Sequence, residues 1–273
     1  MKKTNTRRFS TLFLIIVLFL NILAVNIQAQ TRIAKTGRLV LVELFTSQGC
    51  DMCPTAEKIL VELGSANKSI VPVSLHVDYF NKPWKDPFSD QLYSERQMSY
   101  HKTYKGVKDP DLGLYYTPMI MVDGITTVNG RNSAGLKSAV ASARQKKPGV
   151  SIQATLNHEN KAGKLKLEVS IKPLTTTLNA KEQLVCAVLR LRKSTTMVNS
   201  GENAGKTLEN YYPSLKFLFE KMKFENNATH VTNFEFTTDK SYNISDLDFI
   251  IFVQDITTGE VHQTAVIPVA GTS

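Results

Sequence analysis

Residues 38–64 read RLVLVELFTSQGCDMCPTAEKILVELG. Arg38 to Phe45 form a nearly unbroken apolar run of strand length, as expected of a strand buried on both faces. A turn from Thr46 to Gly49 leads into Cys50 and Cys53. Beyond them Ala56, Ile59, Leu60 and Leu63 recur at i, i+3, i+4 and i+7, which predicts an amphipathic helix stopped by Gly64. Two thiols therefore stand where a helix begins after a buried strand. Unpaired helix N–H groups and the positive end of the helix dipole stabilise a thiolate there. Cys50 is the expected nucleophile, and Cys53, one turn in, the resolving thiol. Pro54 lies in the first turn, where a missing N–H costs little.

Working outward, Ser69–Val77 (SIVPVSLHV) reads as a second buried strand, and strand, helix, strand in this order make a parallel crossover. Residues 78–88, DYFNKPWKDPF, are irregular. Ser89 is expected to cap a helix running to Tyr104, with Tyr93, Tyr100 and Tyr104 on one face. TPMIMVDGITTVNG, 117–130, predicts two short strands joined at Asp123-Gly124. Leu136, Ala139, Val140 and Ala143 repeat the helical spacing up to Gly149. After Gly149 the period becomes two, at Val150, Ile152, Ala154 and Leu156 and again at Leu165, Leu167, Val169 and Ile171. Further strands are expected near 184–192, 232–237, 248–255 and 261–269, a spacing that suggests an antiparallel sandwich. Residues 194–227 carry no clear period.

The first residues address the compartment. Lys2, Lys3, Arg7 and Arg8 precede an apolar run from Leu12 to Val25 and a small-residue end at Ala29, the layout of a secretory signal. The run is shorter than the ~20 residues a spanning helix needs, and Asn21 interrupts it. The expected divisions are a signal peptide over 1–29, an α/β unit over 30–148 and a sandwich-like unit over 149–273. The expected location is periplasmic or secreted, with no stable membrane span after signal removal. The net charge of +9 falls to +5 with the four basic residues of the signal. The remaining lysines are scattered, so no nucleic-acid partner is expected. Cys50, Cys53 and Cys186 are too few to staple an exported chain of this size. Cys186 reads as a small apolar filler of the sandwich. Asn67, Asn227 and Asn243 match the glycosylation pattern.

The order β-α-β-α-β-β-α, the dithiol and Thr117-Pro118 resemble the thioredoxin superfamily, which places a cis-proline beside its dithiol. More narrowly, VELFTSQGCDMCPTAEKIL, SLHVDYFNKPWKDPFS, Arg96-Gln97 and YTPMIMVDG resemble a family of secreted bacterial thioredoxin-like proteins of unknown function. The likeness runs from about Leu41 to Val140, and more faintly through GENAGKTL at 201–208. That family usually carries Ser-Ser between the cysteines, where this chain has Asp51-Met52. The fold expected is a thioredoxin-like α/β fold with an α-helical insertion, followed by an all-β antiparallel sandwich-like domain. The resemblance names no substrate.

The expected catalytic set is Cys50, Cys53, Pro118 and Glu43. Glu43, seven residues before Cys50, either shuttles the proton of Cys53 as a desolvated acid or is a strand-end carboxylate paired with a lysine. His76 and Asp78 end the second strand at the same sheet edge as Cys50. With Thr117, Trp84 and Asp51 they border the expected substrate groove, and Lys85, Asp86 and Phe88 its wall. The function expected is an exported thiol-disulfide oxidoreductase without a cofactor. Its partners would be protein or small-molecule thiols and disulfides and an unspecified redox partner. One alternative is a zinc- or copper-handling protein using the cysteines and His76. Another is a non-catalytic binding module.

Overall fold

The computed structural model describes residues 30–33, 37–159 and 163–270, and the expected signal peptide lies outside them. The chain runs β1 (Gln30–Ile33), β2 (Val40–Thr46), α1 (Cys53–Ala66), β3 (Ile70–His76), α2 (Gln91–Thr103), β4 (Met119–Val122), β5 (Thr126–Asn129) and α3 (Ser133–Arg144). Strands follow: β6 (Val150–Glu159), β7 (Lys164–Pro173), β8 (Glu182–Leu191), β9 (Lys193–Met197), β10 (Thr207–Tyr211), β11 (Ser214–Lys223), β12 (His230–Thr237), β13 (Leu247–Asp255) and β14 (Val261–Pro268). No helix among the described residues is long and apolar enough to cross a membrane.

A mixed sheet ordered β3-β2-β4-β5 carries the first part of the chain. β2 pairs in parallel with β3 and antiparallel with β4. The alternation of side chains along β2 divides the interior. Val40, Val42 and Leu44 face α1 and α3, joining Ala56, Leu60, Leu136 and Val140. Leu41 and Phe45 face the other way, joining Tyr93 and Tyr100 of α2 and, from β8, β11 and β13, Cys186, Val188, Phe217, Ile250 and Phe252. The sheet β11-β8-β13-β14 therefore lies directly on the mixed sheet. Its other face meets the sheet β1-β6-β7-β12 across a third core that includes Val185, Leu189, Leu167 and Phe249.

The expected thioredoxin-like α/β architecture is corrected by this layering. The molecule is mostly sheet, 44% strand against 20% helix, with three α-helices among the described residues and several small sheets. The physical reason is the second face of the mixed sheet, which is covered largely by another β-sheet where an α/β fold would lay helices. A strand buried on both faces is apolar throughout whichever kind of layer covers it. Cys186 is buried, as expected of a filler, but between the mixed sheet and β8's own sheet rather than inside the sandwich. Residues 30–33 were expected with the first unit, yet β1 pairs with β6, Gln30 opposite Leu156.

The free edge of β3 is sealed by the later segment. Ser74 N–H donates to Tyr212 O at 2.9 Å and Ser74 Oγ to Tyr211 O at 2.7 Å. This covers an edge that would otherwise be open to pairing, and it brings β9 and β10 beside the dithiol.

Candidate functional site: a reduced dithiol at the start of α1

The turn after β2 delivers Cys50, and α1 begins at Cys53 with Pro54 in its first turn. No side chain caps α1, so its leading N–H groups are available to an anion. All three cysteines are free thiols, and Cys50 and Cys53 are 1% and 0% exposed. The two differ sharply in proton affinity. A hydrogen bond from Cys53 lowers the Cys50 pKa, against burial, and Thr117 and the N–H groups of Met52 and Cys53 add to it; the result is about 7. Burial, then the bond to Cys50 and repulsion from its charge, push Cys53 well above the ordinary thiol range.

Thr117 precedes Pro118 through a cis peptide bond, as the sequence leads one to expect; Lys82-Pro83 is cis as well. Thr117 Oγ1 is buried and has no other hydrogen-bond partner, which leaves its hydroxyl for Cys50. It is thus ready to donate when the Cys50 thiolate forms.

Glu43 is not at the dithiol. It shares the β2 face of Leu41 and Phe45, opposite α1. Its carboxylate is bound by Arg96 (Nη2 to Oε2 at 3.0 Å, Nε to Oε1 at 2.5 Å) and by the Tyr100 hydroxyl at 2.5 Å. Arg96 also lies over the rings of Phe217 and Phe252, 5.0 and 5.2 Å from their centroids. Of the two readings of Glu43, the geometry is that of the paired carboxylate and not of the proton shuttle: strand alternation turns it into an ion pair between layers, with an arginine in place of the lysine.

The acid beside Cys53 is Glu57. It is buried on α1, its Oε1 accepts from Thr46 Oγ1 at 3.1 Å, and its Oε2 accepts from Tyr211 N–H at 3.0 Å. Thr46 also hydrogen-bonds Cys53, stabilising its thiolate. Burial raises the Glu57 pKa, partly offset by the charge of His76. Sequence reasoning missed Glu57, although the signal was present: Cys53, Ala56, Glu57 and Leu60 form one buried stripe at i, i+3, i+4 and i+7.

His76 lies wholly buried at the end of β3, its Nδ1 2.7 Å from Asp86 Oδ2. Burial opposes its charge, but Asp86 and then Glu57 outweigh that and raise its pKa. Asp86 also accepts from Gln48 N–H at 2.8 Å and so ties the irregular loop to the turn before Cys50. Trp84 is half-buried and donates from Nε1 to Gln48 Oε1 at 3.0 Å, and the Phe88 ring lies 5.4 Å from that of His76, tilted by 58°. Lys85 is exposed. Asp78 turns toward α2, where the Ser94 hydroxyl donates to it. The loop is thus tied to the dithiol turn through Asp86 and Trp84. Asp51 is exposed beside Cys50, and its N–H donates to Glu202 Oε2 at 2.9 Å. Among the described residues no group of three or more His, Cys, Asp or Glu side chains could hold a metal ion.

Residues 41–254 match the model of a family described as a protein of unknown function (DUF1223). No curated protein matches the chain. Among solved structures, protein AGR_C_4864 from Agrobacterium tumefaciens is 19% identical at a TM-score of 0.60, over 88% of this chain and 98% of its own. HBP35 of Porphyromonas gingivalis is 14% identical at a TM-score of 0.63, over 86% of this chain and 76% of its own. At these identities the likeness is one of fold.

Proposed function

The chain belongs to the DUF1223 family of proteins of unknown function, and from its site we propose that it is an exported thiol-disulfide oxidoreductase. The observation that carries this reading is the asymmetric pair: two free thiols in hydrogen-bond contact at an uncapped helix start, Cys50 favouring the thiolate and Cys53 the thiol. The resemblance to the thioredoxin superfamily supports the reading through the dithiol and Pro118 alone. Export, to the periplasm or beyond, rests on the leader-like residues 1–29.

In the reducing direction the Cys50 thiolate attacks one sulfur of a substrate disulfide. A Cys50–substrate S–S bond forms, the substrate's own S–S bond breaks, and one substrate sulfur leaves as thiolate. Cys53 then loses its proton through the Thr46 hydroxyl to the Glu57 carboxylate. Its thiolate attacks Cys50 Sγ, closing the Cys50–Cys53 disulfide and releasing the second substrate thiolate. Two electrons pass to the substrate. The opposite direction runs the same steps in reverse, and the redox partner that recharges the pair sets which one operates.

The test is reduction of insulin by the mature chain with dithiothreitol as electron source, beside Cys50→Ser. Catalysis lost in the variant supports the reading. Equal rates in the two proteins would overturn it.

A further inference from the structure

The turn that carries Cys50 is held not only by its own half of the chain, through Asp86 and Trp84, but also by a distant segment. Asn203, wholly buried at the tip between β9 and β10, donates from Nδ2 to Gln48 O and to Cys50 O, both at 2.9 Å. Lys206 Nζ donates to Asn203 Oδ1 at 2.9 Å, which fixes the amide with its donors toward the dithiol turn. Glu202 takes the Asp51 N–H. Asn210 Oδ1 accepts from Gln48 Nε2 at 3.0 Å, and Ser200 Oγ donates to Pro83 O at 3.1 Å. Gly201 and Gly205, at φ +84° and +78°, allow the tight tip that presents Glu202 and Asn203 side by side. Cys50 O also accepts the Cys53 N–H at 3.3 Å; Asn203 adds a second, shorter bond there and one to Gln48 O, and since buried carbonyls left unpaired are costly, the dithiol turn in this shape leans on a segment 153 to 155 residues downstream.

We propose that Glu202 and Asn203 are positioning residues of the dithiol, so that the 199–206 tip completes the redox site and sets the poise of Cys50. The proposal rests on the oxidoreductase reading for its purpose, but not for its measurement. Asn203 pins the two carbonyls that flank Gly49 and so fixes where the Cys50 sulfur sits. Glu202 works against the thiolate in two ways. It holds one helix-entry N–H, leaving those of Met52 and Cys53 for the sulfur, and it places a second carboxylate beside Asp51. The charged or titratable groups around Cys50 are Cys53 from α1, Tyr79 from the loop after β3, Asp51 in the turn itself, and Glu202 and Lys206 from the tip.

The test uses the full mature chain and two readouts that need no substrate: thiolate absorbance against pH, and alkylation of Cys50 by iodoacetamide at fixed thiolate fraction. Glu202→Gln keeps an acceptor for Asp51 N–H and removes the charge, whereas Glu202→Ala removes both. Both should lower the Cys50 pKa and make the pair more oxidising in glutathione buffers, the alanine variant more so. Asn203→Ala should speed Cys50 alkylation about tenfold, the population shift expected from losing two hydrogen bonds. If the Glu202 variants leave pKa and potential unchanged and Asn203→Ala leaves alkylation unchanged, the tip is a packing neighbour only and the proposal fails. Should Asn203→Ala not fold, the two Glu202 variants decide the matter alone. A wild-type chain that does not reduce insulin would overturn the oxidoreductase reading and leave these readouts intact.

Discussion

The hydroxyl of Thr46, the last residue of β2, donates to Glu57 Oε1 at 3.1 Å from within hydrogen-bond reach of Cys53. One side chain therefore links a buried acid to the Cys53 thiol. A hydroxyl both accepts and donates, so it can take the Cys53 proton and pass its own to Glu57 in one step. The groups facing Glu57 are Cys53 on its own helix, Thr46 from β2, His76 from β3, Asp86 from the loop, and the Tyr211 N–H from β10.

Glu57→Gln should therefore leave attack by Cys50 intact and slow the resolving step. A positioned base contributes about a hundredfold or more, so resolution should fall by about that factor. Thr46→Val should do the same, and Thr46→Ser should restore it. Wild-type resolution should show an inflection above the ordinary glutamate range, where Glu57 ionises, and the glutamine variant should lack it. Stopped-flow reaction with a chromogenic aromatic disulfide separates the two steps. An undiminished second step in both Glu57→Gln and Thr46→Val would remove the relay.

Cys53→Ser should accumulate mixed disulfides, because the attacking thiol remains and the releasing one is gone. Non-reducing gels of extracts from the expressing cells should show dithiothreitol-sensitive adducts that are absent from Cys50→Ser. Equal adducts in the two strains would mean that the roles are exchanged or the pair idle.

Much of this site is legible in the chain because it is local. Cys50 and Cys53 announce themselves by their spacing and by the apolar run before them, and Thr117-Pro118 by its place before the Asp123-Gly124 hairpin. Glu57 was legible in principle, as the one charge in the buried stripe of α1, but a stripe counted from Ala56 passes over it. Glu202 and Asn203 had no such signal. Their contacts are with residues 150 positions away, and a turn tip that binds carbonyls has no period. Glu43 shows the converse: its strand is plain, but which layer lies on each face of β2 depends on β8, β11 and β13, far along the chain. The same long-range packing made the molecule a stack of sheets where the sequence suggested an α/β unit.

Gly124 should tolerate no side chain. Its φ is +70°, and a Cβ there would lie 1.9 Å from Gly259 O, in the loop between β13 and β14. That carbonyl is held in place by Gln254 Nε2 at 2.6 Å. Gly124→Ala should cost more than about 2 kcal/mol, since the left-handed conformation alone costs roughly 1–2 kcal/mol and the overlap adds to it. Urea unfolding should show a lower midpoint at unchanged slope. A midpoint within error of wild type would show that the two hairpins part easily.

The buried His76–Asp86 pair should make stability fall on the alkaline side. Asp86 is held below its ordinary carboxylate range: burial works against this, but His76 and the hydrogen bonds it accepts prevail. Its contribution is therefore present above the unfolded value and lost as pH falls through the folded one. His76 is shifted the other way, so its contribution is complete below its unfolded pKa of roughly 6.5 and lost as pH rises through the higher folded value. Glu57, raised by burial, acts at lower pH: its contribution is lost as pH rises from the ordinary glutamate value through its own higher folded one, because ionising it in the folded state is harder than in the unfolded chain. The pair's own contribution should thus be greatest between the carboxylate range and about pH 6.5 and decline above it. His76→Gln leaves the Asp86 charge buried without a counter-charge, and breaking such a pair costs about 3–5 kcal/mol. The loss should be largest near pH 6 and shrink as pH rises through the higher folded value of His76, where wild type itself gives up the imidazolium. Urea melts at pH 6, 7.5 and 9 measure both curves. A deficit independent of pH would mean that His76 is neutral in the folded chain and that its bond to Asp86 carries no charge.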